Sequence, residues 1–319
     1  MDALSDVLRV VGLTGGVFVD AEFTDPWVVS GKVDPNSCRP FMALPAYVIG
    51  FHYVVEGGFD VCLEDGRRAH VGAGDVVMLP HNDLHKYGSA LDRPARPVDE
   101  LIEPAPDFGM RRISYGGGGA KTHLVCGFFG GGPEMGLLLS GLPGLMVINV
   151  VEMRGGDWLS RSFTYAAQTM AEGDPGAATV MAKMSELLFV EAVRRHLADL
   201  PPEQTGWLAG LRDPVIGRAL SLLHARVTRH WTAEELAVEV NMSRSAFAER
   251  FTALIGAPPM RYLTNWRMQV AASKLRDTRQ NIAQIAFDVG YESEAAFTRA
   301  FRREMGQPPA AWRRQAQTA

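Results

Sequence analysis

The chain has 319 residues, of which 47% are hydrophobic, and its formal net charge at pH 7 is −4. This length predicts two domains, and the hydrophobic fraction gives each of them enough material for a core. The three cysteines indicate a reducing compartment rather than a disulfide scaffold. The first residues, MDALSDVLRVV, lack a basic start and a clean apolar core, so no signal peptide is predicted. The longest uncharged run, 135–151, is broken by Ser, Gly, Pro and Asn, so no membrane span is predicted either. We therefore expect a cytoplasmic protein with no membrane partner.

The N-terminal half begins with a predicted amphipathic helix and continues as short strands. The helix covers residues 1–12, with Leu4, Val7, Leu8 and Val11 on one face. Strand-like segments punctuated by Gly, Pro and Asp predict an antiparallel barrel or sandwich. These segments are residues 16–23, 27–30, 47–55, 59–63, 69–71 and 75–79.

Two of these strand-like segments carry histidines, one within the segment and one just after it. They read FHYVVEG at 51–57 and GDVVMLPHNDLH at 74–85. The pair resembles the two motifs of the cupin β-barrel, the first in degraded form. The resemblance implies an α+β chain of two domains, with an N-terminal cupin-like antiparallel β-barrel and packed helices. A catalytic cupin usually has a second His in the first motif, where this chain has Val54.

Several side chains of this domain are candidates for an effector or metal site. Imidazole and thiolate together suit zinc or copper. Three interpretations stay open: hydrogen-bonded barrel residues around a small apolar Cys126, a small-molecule pocket, or a metal or thiol sensor. No cofactor is certain, and a divalent metal in the cupin-like domain is one alternative. The candidates are His52, Glu56, His85, His123 and Cys126, with Cys62 as a further ligand.

The middle of the chain changes character twice. Residues 88–123 contain four prolines and the glycine run 116–119, and we expect them to be the least regular part of the chain, with the glycines as a hinge. Strands are predicted to resume at 122–129 and 145–150. Helical patterns cover 158–171 and 177–200, and the apolar stripe of the second is expected to serve packing, dimerisation or both. Residues 201–206 have the composition of a linker.

The last hundred residues contain one stretch written twice at a spacing of 50, which predicts a duplicated supersecondary unit. In each copy a Ser precedes a helix that carries aromatic residues four apart, and a Gly-x-Pro-Pro sequence ends that helix. A shorter helix and a tight turn precede each Ser, so each copy is a predicted helix-turn-helix. The repeated residues are Ser243, Phe247, Phe251, Gly256, Pro258 and Pro259, followed by Ser293, Phe297, Phe301, Gly306, Pro308 and Pro309.

This C-terminal region resembles the AraC/XylS-type transcriptional regulators, whose DNA-binding domain joins two helix-turn-helix motifs by a long helix. The segments WTAEELAVEVNMSRSAFAERF, PMRYLTNWRMQVAASKL and IAQIAFDVGYESEAAFTRAFRREMGQPPAAWR carry the resemblance. We predict a cupin-like sensing domain at 1–155, a helical dimerisation or packing segment at 156–200, a linker at 201–211 and the DNA-binding domain at 212–314. Residues 212–319 hold 16 Lys/Arg against 10 Asp/Glu, a net of +6 that favours contact with phosphates.

The resemblance also places candidate DNA contacts. Arg299 is the strongest candidate for a bidentate guanine contact. The other basic side chains are expected to contact phosphates. For Arg267, a structural role is the alternative to a phosphate contact. The base-contact candidates are Ser245, Ala248, Glu249, Glu294, Ala295, Thr298 and Arg299, and the phosphate candidates are Arg244, Arg250, Arg267, Lys274, Arg276, Arg302 and Arg303. The rigid linking helix is expected to set the two recognition helices in successive major grooves, roughly 34 Å apart.

The sequence thus predicts a regulator that binds double-stranded promoter DNA as a homodimer, with RNA polymerase as a further partner. Its cupin-like domain is expected to sense a small molecule, a metal or a redox signal and so control the C-terminal domain. The alternatives are a metal-dependent cupin enzyme tethered to DNA and an architectural DNA binder without a signal. We expect no catalytic activity.

Overall fold

The computed structural model describes residues 2–38, 44–103, 110–152, 156–201 and 203–318. These residues form two compact units. One unit comprises residues 13–131 and 142–193, and the other comprises residues 1–12, 132–141 and 194–319. Across the described residues, no helix combines the length and the apolar character that a membrane crossing requires. The domain boundaries inferred from the sequence stay a prediction.

The first unit is built on eleven strands in two sheets. The strands are β1 (Thr14–Thr24), β2 (Val28–Gly31), β3 (Tyr47–Glu56), β4 (Gly58–Leu63), β5 (Arg68–Gly72), β6 (Asp75–Leu79), β7 (His85–Gly88), β8 (Arg96–Pro97), β9 (Arg111–Gly116), β10 (Lys121–Gly131) and β11 (Met146–Asn149). The larger sheet has the order β11-β6-β3-β10-β1-β9 and the smaller one β5-β4-β7-β2-β8. All pairs are antiparallel except β1 with β9 and β2 with β8.

The predicted fold class, a sheet-rich N-terminal region followed by a helical C-terminal domain, is confirmed. In the part of the chain that the structure describes, however, the sheets are not closed into a barrel. The sheets meet through side chains instead of ladder hydrogen bonds. β1 ends at Thr24, and the turn through Asp25 and Pro26 carries the chain into β2 of the other sheet. Aromatic residues fill the space between the sheets: Phe23 stacks on Trp27 at 4.0 Å, and Trp27 meets Tyr87 edge-on at 6.0 Å.

β3 is buried over most of its length because both of its faces are covered. Phe51 and Tyr53 pack against Phe163 of helix α3 (Gly156–Glu172), with ring centroids 6.5 and 4.6 Å apart. The hydroxyls of Tyr53 and Ser160 are hydrogen-bonded at 2.9 Å. Helix α4 (Ala177–Asp199) places Phe189 against Phe129 of β10. Both helices occur where the periodicity predicts them.

Residues 88–123 contain more regular structure than the sequence suggests. β8 and β9 each add a parallel edge strand to a sheet. The glycine run after β9 is not a free hinge, because the amides of Gly117 and Gly119 donate to the backbone oxygens of Thr24 and Asp25 at 2.9 and 2.8 Å. Prolines and glycines therefore shape edge strands and a closely packed turn here.

The second unit is helical. Its first helix, α1, is capped by the Asp2 carboxylate, which accepts from the amide of Ser5, and it buries Leu4 and Val7 on the predicted face. It packs against the helices Pro214–Ala225 and Pro259–Asp277. The helices of this unit are α1 (Ala3–Val11), α2 (Gly136–Leu139), α5 (Trp207–Arg212), α6 (Pro214–Ala225), α7 (Ala233–Glu239), α8 (Arg244–Ile255), α9 (Pro259–Asp277), α10 (Ile282–Asp288), α11 (Glu294–Met305) and α12 (Pro309–Thr318).

The duplicated sequence forms the duplicated structure that it predicts. Helices α7 and α8 make the first helix-turn-helix, α10 and α11 the second, and α9 runs between them. The Ser243 hydroxyl accepts from the amide of Ala246, and the Ser293 hydroxyl accepts from the amide of Ala296. Gly256 and Gly306 end the two recognition helices in the left-handed conformation.

Candidate functional site

A cavity of about 130 Å³ lies inside the strand-rich unit, lined by residues from both sheets. Its walls are largely apolar. The carboxamide of Asn82 holds the wall segment at Val33 in place. Its oxygen accepts from the amide of Val33 at 2.9 Å, and its nitrogen donates to the backbone oxygen of Val33 at 2.8 Å. The main apolar wall residues are Val19, Val33, Phe51, Ile102, Ile113 and Phe128.

Three of the candidate side chains from the sequence meet in this cavity as one chain of hydrogen bonds. Nδ1 of His85 lies 3.1 Å from the backbone oxygen of Asp83, which can only accept, so this nitrogen carries the proton. Nε2 of neutral His85 is then an acceptor, and Nε2 of His52, 2.9 Å away, donates to it. Nδ1 of His52 therefore accepts, and the thiol of Cys126, 2.9 Å away, donates.

These groups are neutral near pH 7. Burial lowers the pKa of His85 to about 4, and burial together with the neighbouring His85 holds the pKa of His52 well below its ordinary value. Burial raises the pKa of the Cys126 thiol and that of the Tyr87 phenol. The chain of hydrogen bonds and the burial thus favour the same protonation states.

The donor set does not fit a cupin metal centre. Among the described residues, no group of three or more His, Cys, Asp or Glu side chains is placed to hold a metal ion. The facing Nε2 atoms of His52 and His85 already share a hydrogen bond. The other candidates lie elsewhere: Glu56 is exposed at the end of β3, and His123 pairs with Asp20 at 2.6 Å.

In the helical unit, both recognition helices bury aromatic residues and expose the candidate base contacts. Phe247 and Phe251 of α8 are fully buried, while Ser245 and Glu249 are exposed and Ala248 is half-buried. In α11, Phe297 and Phe301 are fully buried; Glu294, Ala295 and Arg299 are exposed, and Thr298 is half-buried. The two outer faces have the accessibility that major-groove contact requires. The individual base contacts stay predictions.

Four of the seven cations predicted to contact phosphates have carboxylate partners within this unit. Arg250 pairs with Asp213 at 2.5 Å, Lys274 with Asp288 at 2.7 Å and Arg303 with Glu304 at 2.8 Å. Arg276 pairs with Glu134 and also donates to the backbone oxygen of Val10 at 3.3 Å. A phosphate would compete with these partners. Among the described residues, Arg244, Arg299 and Arg302 have no carboxylate partner.

Arg267 ties three parts of this unit together. Its Nε and Nη2 donate to the backbone oxygens of Val227 and Arg229, at 2.9 and 2.8 Å, in the segment that precedes α7. Its guanidinium lies 5.9 Å from the ring centre of Tyr291, in the turn between α10 and α11. These contacts support the structural alternative for Arg267, because they join both motifs to α9.

The comparison with known proteins matches the N-terminal and C-terminal parts of the chain to two different family models. The family model described as "Cupin" matches residues 2–198, and the model described as "Helix-turn-helix domain" matches residues 236–315. A putative AraC-like transcription regulator of Streptomyces lividans is 37% identical over 244 residues, which are 76% of this chain and 78% of that protein. The chain belongs to the AraC-like transcription regulators that carry an N-terminal cupin domain.

Two further proteins are similar to this AraC-like regulator. The HTH-type transcriptional regulator AlkR of Acinetobacter baylyi is 28% identical over 99% of this chain and 100% of its own length. The solved DNA-binding domain of AdpA, in complex with a target DNA, is 28% identical, covers 33% of this chain and 95% of its own length, and gives a TM-score of 0.32. As a member of this family, the chain has a ligand-sensing cupin domain and a DNA-binding helix-turn-helix domain.

Sequence reasoning did not identify Tyr87 and Asn82 as cavity residues. Tyr87 lies two positions after His85 on β7, so both side chains point to the same side of the strand. The two-residue spacing between His85 and Tyr87 could have indicated that both side chains face the cavity, but no strand was predicted there. Asn82 has a positive φ of 53°, which Asn tolerates better than most residues, and nothing local indicates that its carboxamide reaches Val33.

Proposed function

We propose that a small organic effector occupies the cavity of the cupin domain and that its binding changes the affinity of this regulator for promoter DNA. The observation that carries the proposal is the cavity itself, with apolar walls on one side and the hydrogen-bonded His52, His85 and Cys126 on the other. Such a site suits a small ligand, because apolar walls provide the binding energy and the polar side already satisfies its own hydrogen bonds. The effector acts by binding differently to the two DNA-affinity states.

The proposal includes the assembly and location of the regulator. Its partner is double-stranded promoter DNA in the cytoplasm, where it acts as a homodimer in contact with RNA polymerase. The exposed aromatic residues of α3, Trp158 and Tyr165, support the dimer, since they are 63% and 64% exposed and lie on one helix.

We do not propose an enzyme. Both imidazoles use their ring nitrogens within the hydrogen-bonded chain, so neither has a lone pair available to accept a substrate proton. The names of the similar proteins, which are transcription regulators, support the same conclusion.

The test uses Gly50, which lines the cavity on β3. A Cβ placed on Gly50 would lie 3.8 Å from Leu79 and 3.9 Å from Val33, both ordinary contacts, so the backbone accepts a side chain there. Gly50→Val is designed to add two further methyl groups at this cavity-lining position. Gly72→Val is the matched control on β5, where a Cβ meets only the Gly57 backbone oxygen at 3.9 Å. Neither glycine has a positive φ.

Binding of the full-length protein to DNA selected in vitro is measured by fluorescence anisotropy. Compounds that raise the melting temperature of the wild type are added. We expect them to change the DNA affinity of the wild type and of Gly72→Val by several-fold, and that of Gly50→Val not at all. An unchanged DNA affinity with the compound bound, or an equal response in Gly50→Val, would overturn the proposal.

A further inference from the structure

The charges around the cavity indicate which ligands it can accept. His52, His85, Tyr87 and Cys126 are all neutral near pH 7, so the polar side of the cavity offers no counter-ion. The charged residues that line it are two cations and two anions, namely Lys32, Arg111, Asp34 and Asp99, and three of these four side chains are exposed. Their charges sum to zero. A charged ligand group placed against the imidazoles, the phenol and the thiol would therefore be buried without compensation from them, which is costly.

The volume limits the size of the ligand. An apolar protein cavity of about 150 Å³ is large enough for benzene. The cavity here is about 130 Å³ and has an apolar wall on several sides, including the side chains of Val33 and Phe128. Exposed residues form part of its lining, so the volume limits only the enclosed part of a ligand, which is about one ring.

Among the neutral side chains of the cavity that can hydrogen-bond, the hydroxyl of Tyr87 has no partner within the described residues. The rings of His52 and His85 lie against that of Tyr87, with centroids 4.7 and 5.1 Å away. The two imidazoles and the thiol are bonded to one another, but the Tyr87 hydroxyl makes no hydrogen bond with a described residue. Since this phenol stays protonated, it can donate to a ligand oxygen.

We infer that the cavity takes a neutral molecule of about one ring that carries a hydrogen-bond acceptor such as a carbonyl, and that the Tyr87 hydroxyl donates to this acceptor. The inference rests on the proposed function for the role of the cavity and adds the chemical class of its ligand. Tyr87 selects the ligand by leaving a buried donor unpaired when an analogue lacks the acceptor.

Four probes of similar size separate charge from hydrogen bonding. Acetophenone is neutral with an acceptor, ethylbenzene is neutral without one, benzoate is an anion and benzylammonium is a cation. Calorimetric titration of the full-length wild type should show acetophenone binding about fivefold or more tighter than ethylbenzene, the ratio that one net hydrogen bond supports. The two ions should bind much more weakly than either neutral probe.

The variant Tyr87→Phe removes only the hydroxyl. It should lower the affinity for acetophenone to that for ethylbenzene and leave ethylbenzene binding unchanged, while Gly50→Val should weaken both neutral probes. Benzoate or benzylammonium binding more tightly than acetophenone in the wild type would overturn the inference, as would equal acetophenone affinity in Tyr87→Phe, or no binding of the neutral probes. Binding of acetophenone with no effect on DNA affinity would contradict the proposed function and leave the ligand class intact.

Discussion

Arg267 is predicted to hold the two helix-turn-helix motifs at a fixed separation. Replacing it with methionine keeps much of the aliphatic bulk but removes the two bonds to the backbone oxygens of Val227 and Arg229, which measure 2.9 and 2.8 Å. A hydrogen bond from a charged donor contributes about 1.5–3 kcal/mol. Because the segment that carries both oxygens is partly exposed and can hydrate, we take the lower end and expect a loss of about 3 kcal/mol in total.

The consequence for DNA binding follows from how two linked sites cooperate. When the first recognition helix binds, a rigid domain presents the second at a high effective concentration, and a loosened one does not. Arg267→Met should therefore lose about tenfold or more in affinity for a complete site. Its affinity for DNA that contains only one of the two groove segments should change little.

The assay is an anisotropy titration of full-length protein on its selected site and on the same site with two base pairs inserted between the two groove segments. The wild type should discriminate strongly against the insertion, because its recognition helices cannot follow the rotated groove. Arg267→Met should discriminate less, a change that a general loss of folded protein would not produce. Equal discrimination in both proteins would refute the role of Arg267 in spacing.

Further predictions concern the cavity and the DNA contacts. Since the pKa of His85 falls from 6.5 to about 4 on folding, the unfolded chain binds more protons than the folded one between these pH values. The stability that this histidine contributes is therefore full above pH 6.5 and falls by about 2 kcal/mol at pH 5. A His85→Gln variant should lose less melting temperature than the wild type from pH 7 to pH 5, and equal losses would contradict this. Cys126→Ala should cost about 1–3 kcal/mol by leaving Nδ1 of His52 without a donor, whereas Cys126→Ser should cost less, as measured by chemical denaturation. Metal analysis of purified protein should find no stoichiometric metal, and a metal lost on replacing His52 would contradict the hydrogen-bond assignment. Arg299→Ala should cost about 1–3 kcal/mol and relax specificity at one base pair, while Arg302→Ala should weaken all sequences alike and reduce the salt slope by about 1.

The DNA-binding domain could be predicted in detail because its signals are local. Serine caps, aromatic residues four apart and terminal glycines each act within one helix, and the repeat doubles every signal. The linking helix predicted between the two motifs is present and runs from Pro259 to Asp277. Which arginines have intramolecular partners was not predictable, because the pair between Arg276 and Glu134 joins residues 142 positions apart.

The cavity was only partly predictable because its geometry depends on pairing between distant strands. His52 of β3 and Cys126 of β10 lie directly opposite each other in the sheet. No local sequence pattern indicates this strand register. β7 was missed because it has only four residues, and β9 because it lies between a proline-rich segment and the glycine run 116–119. The barrel expected from the cupin motifs became two sheets for a related reason: closure depends on pairing between edge strands, and the motifs describe the interior strands only.

The two turns of the repeat show how duplicated motifs become unequal parts of one DNA-binding domain. Both turns require a positive φ, 56° at Asn241 and 82° at Gly290. A Cβ on Gly290 would lie 2.8 Å from the backbone oxygen of Thr228 and 2.7 Å from Nη2 of Arg267, so only glycine fits where the second motif meets the segment that leads into the first. Asn241 already carries a side chain at the equivalent position, so the first turn has no such restriction. Gly290→Ala should therefore reproduce the spacing defect of Arg267→Met, and Asn241→Ala should cost stability alone.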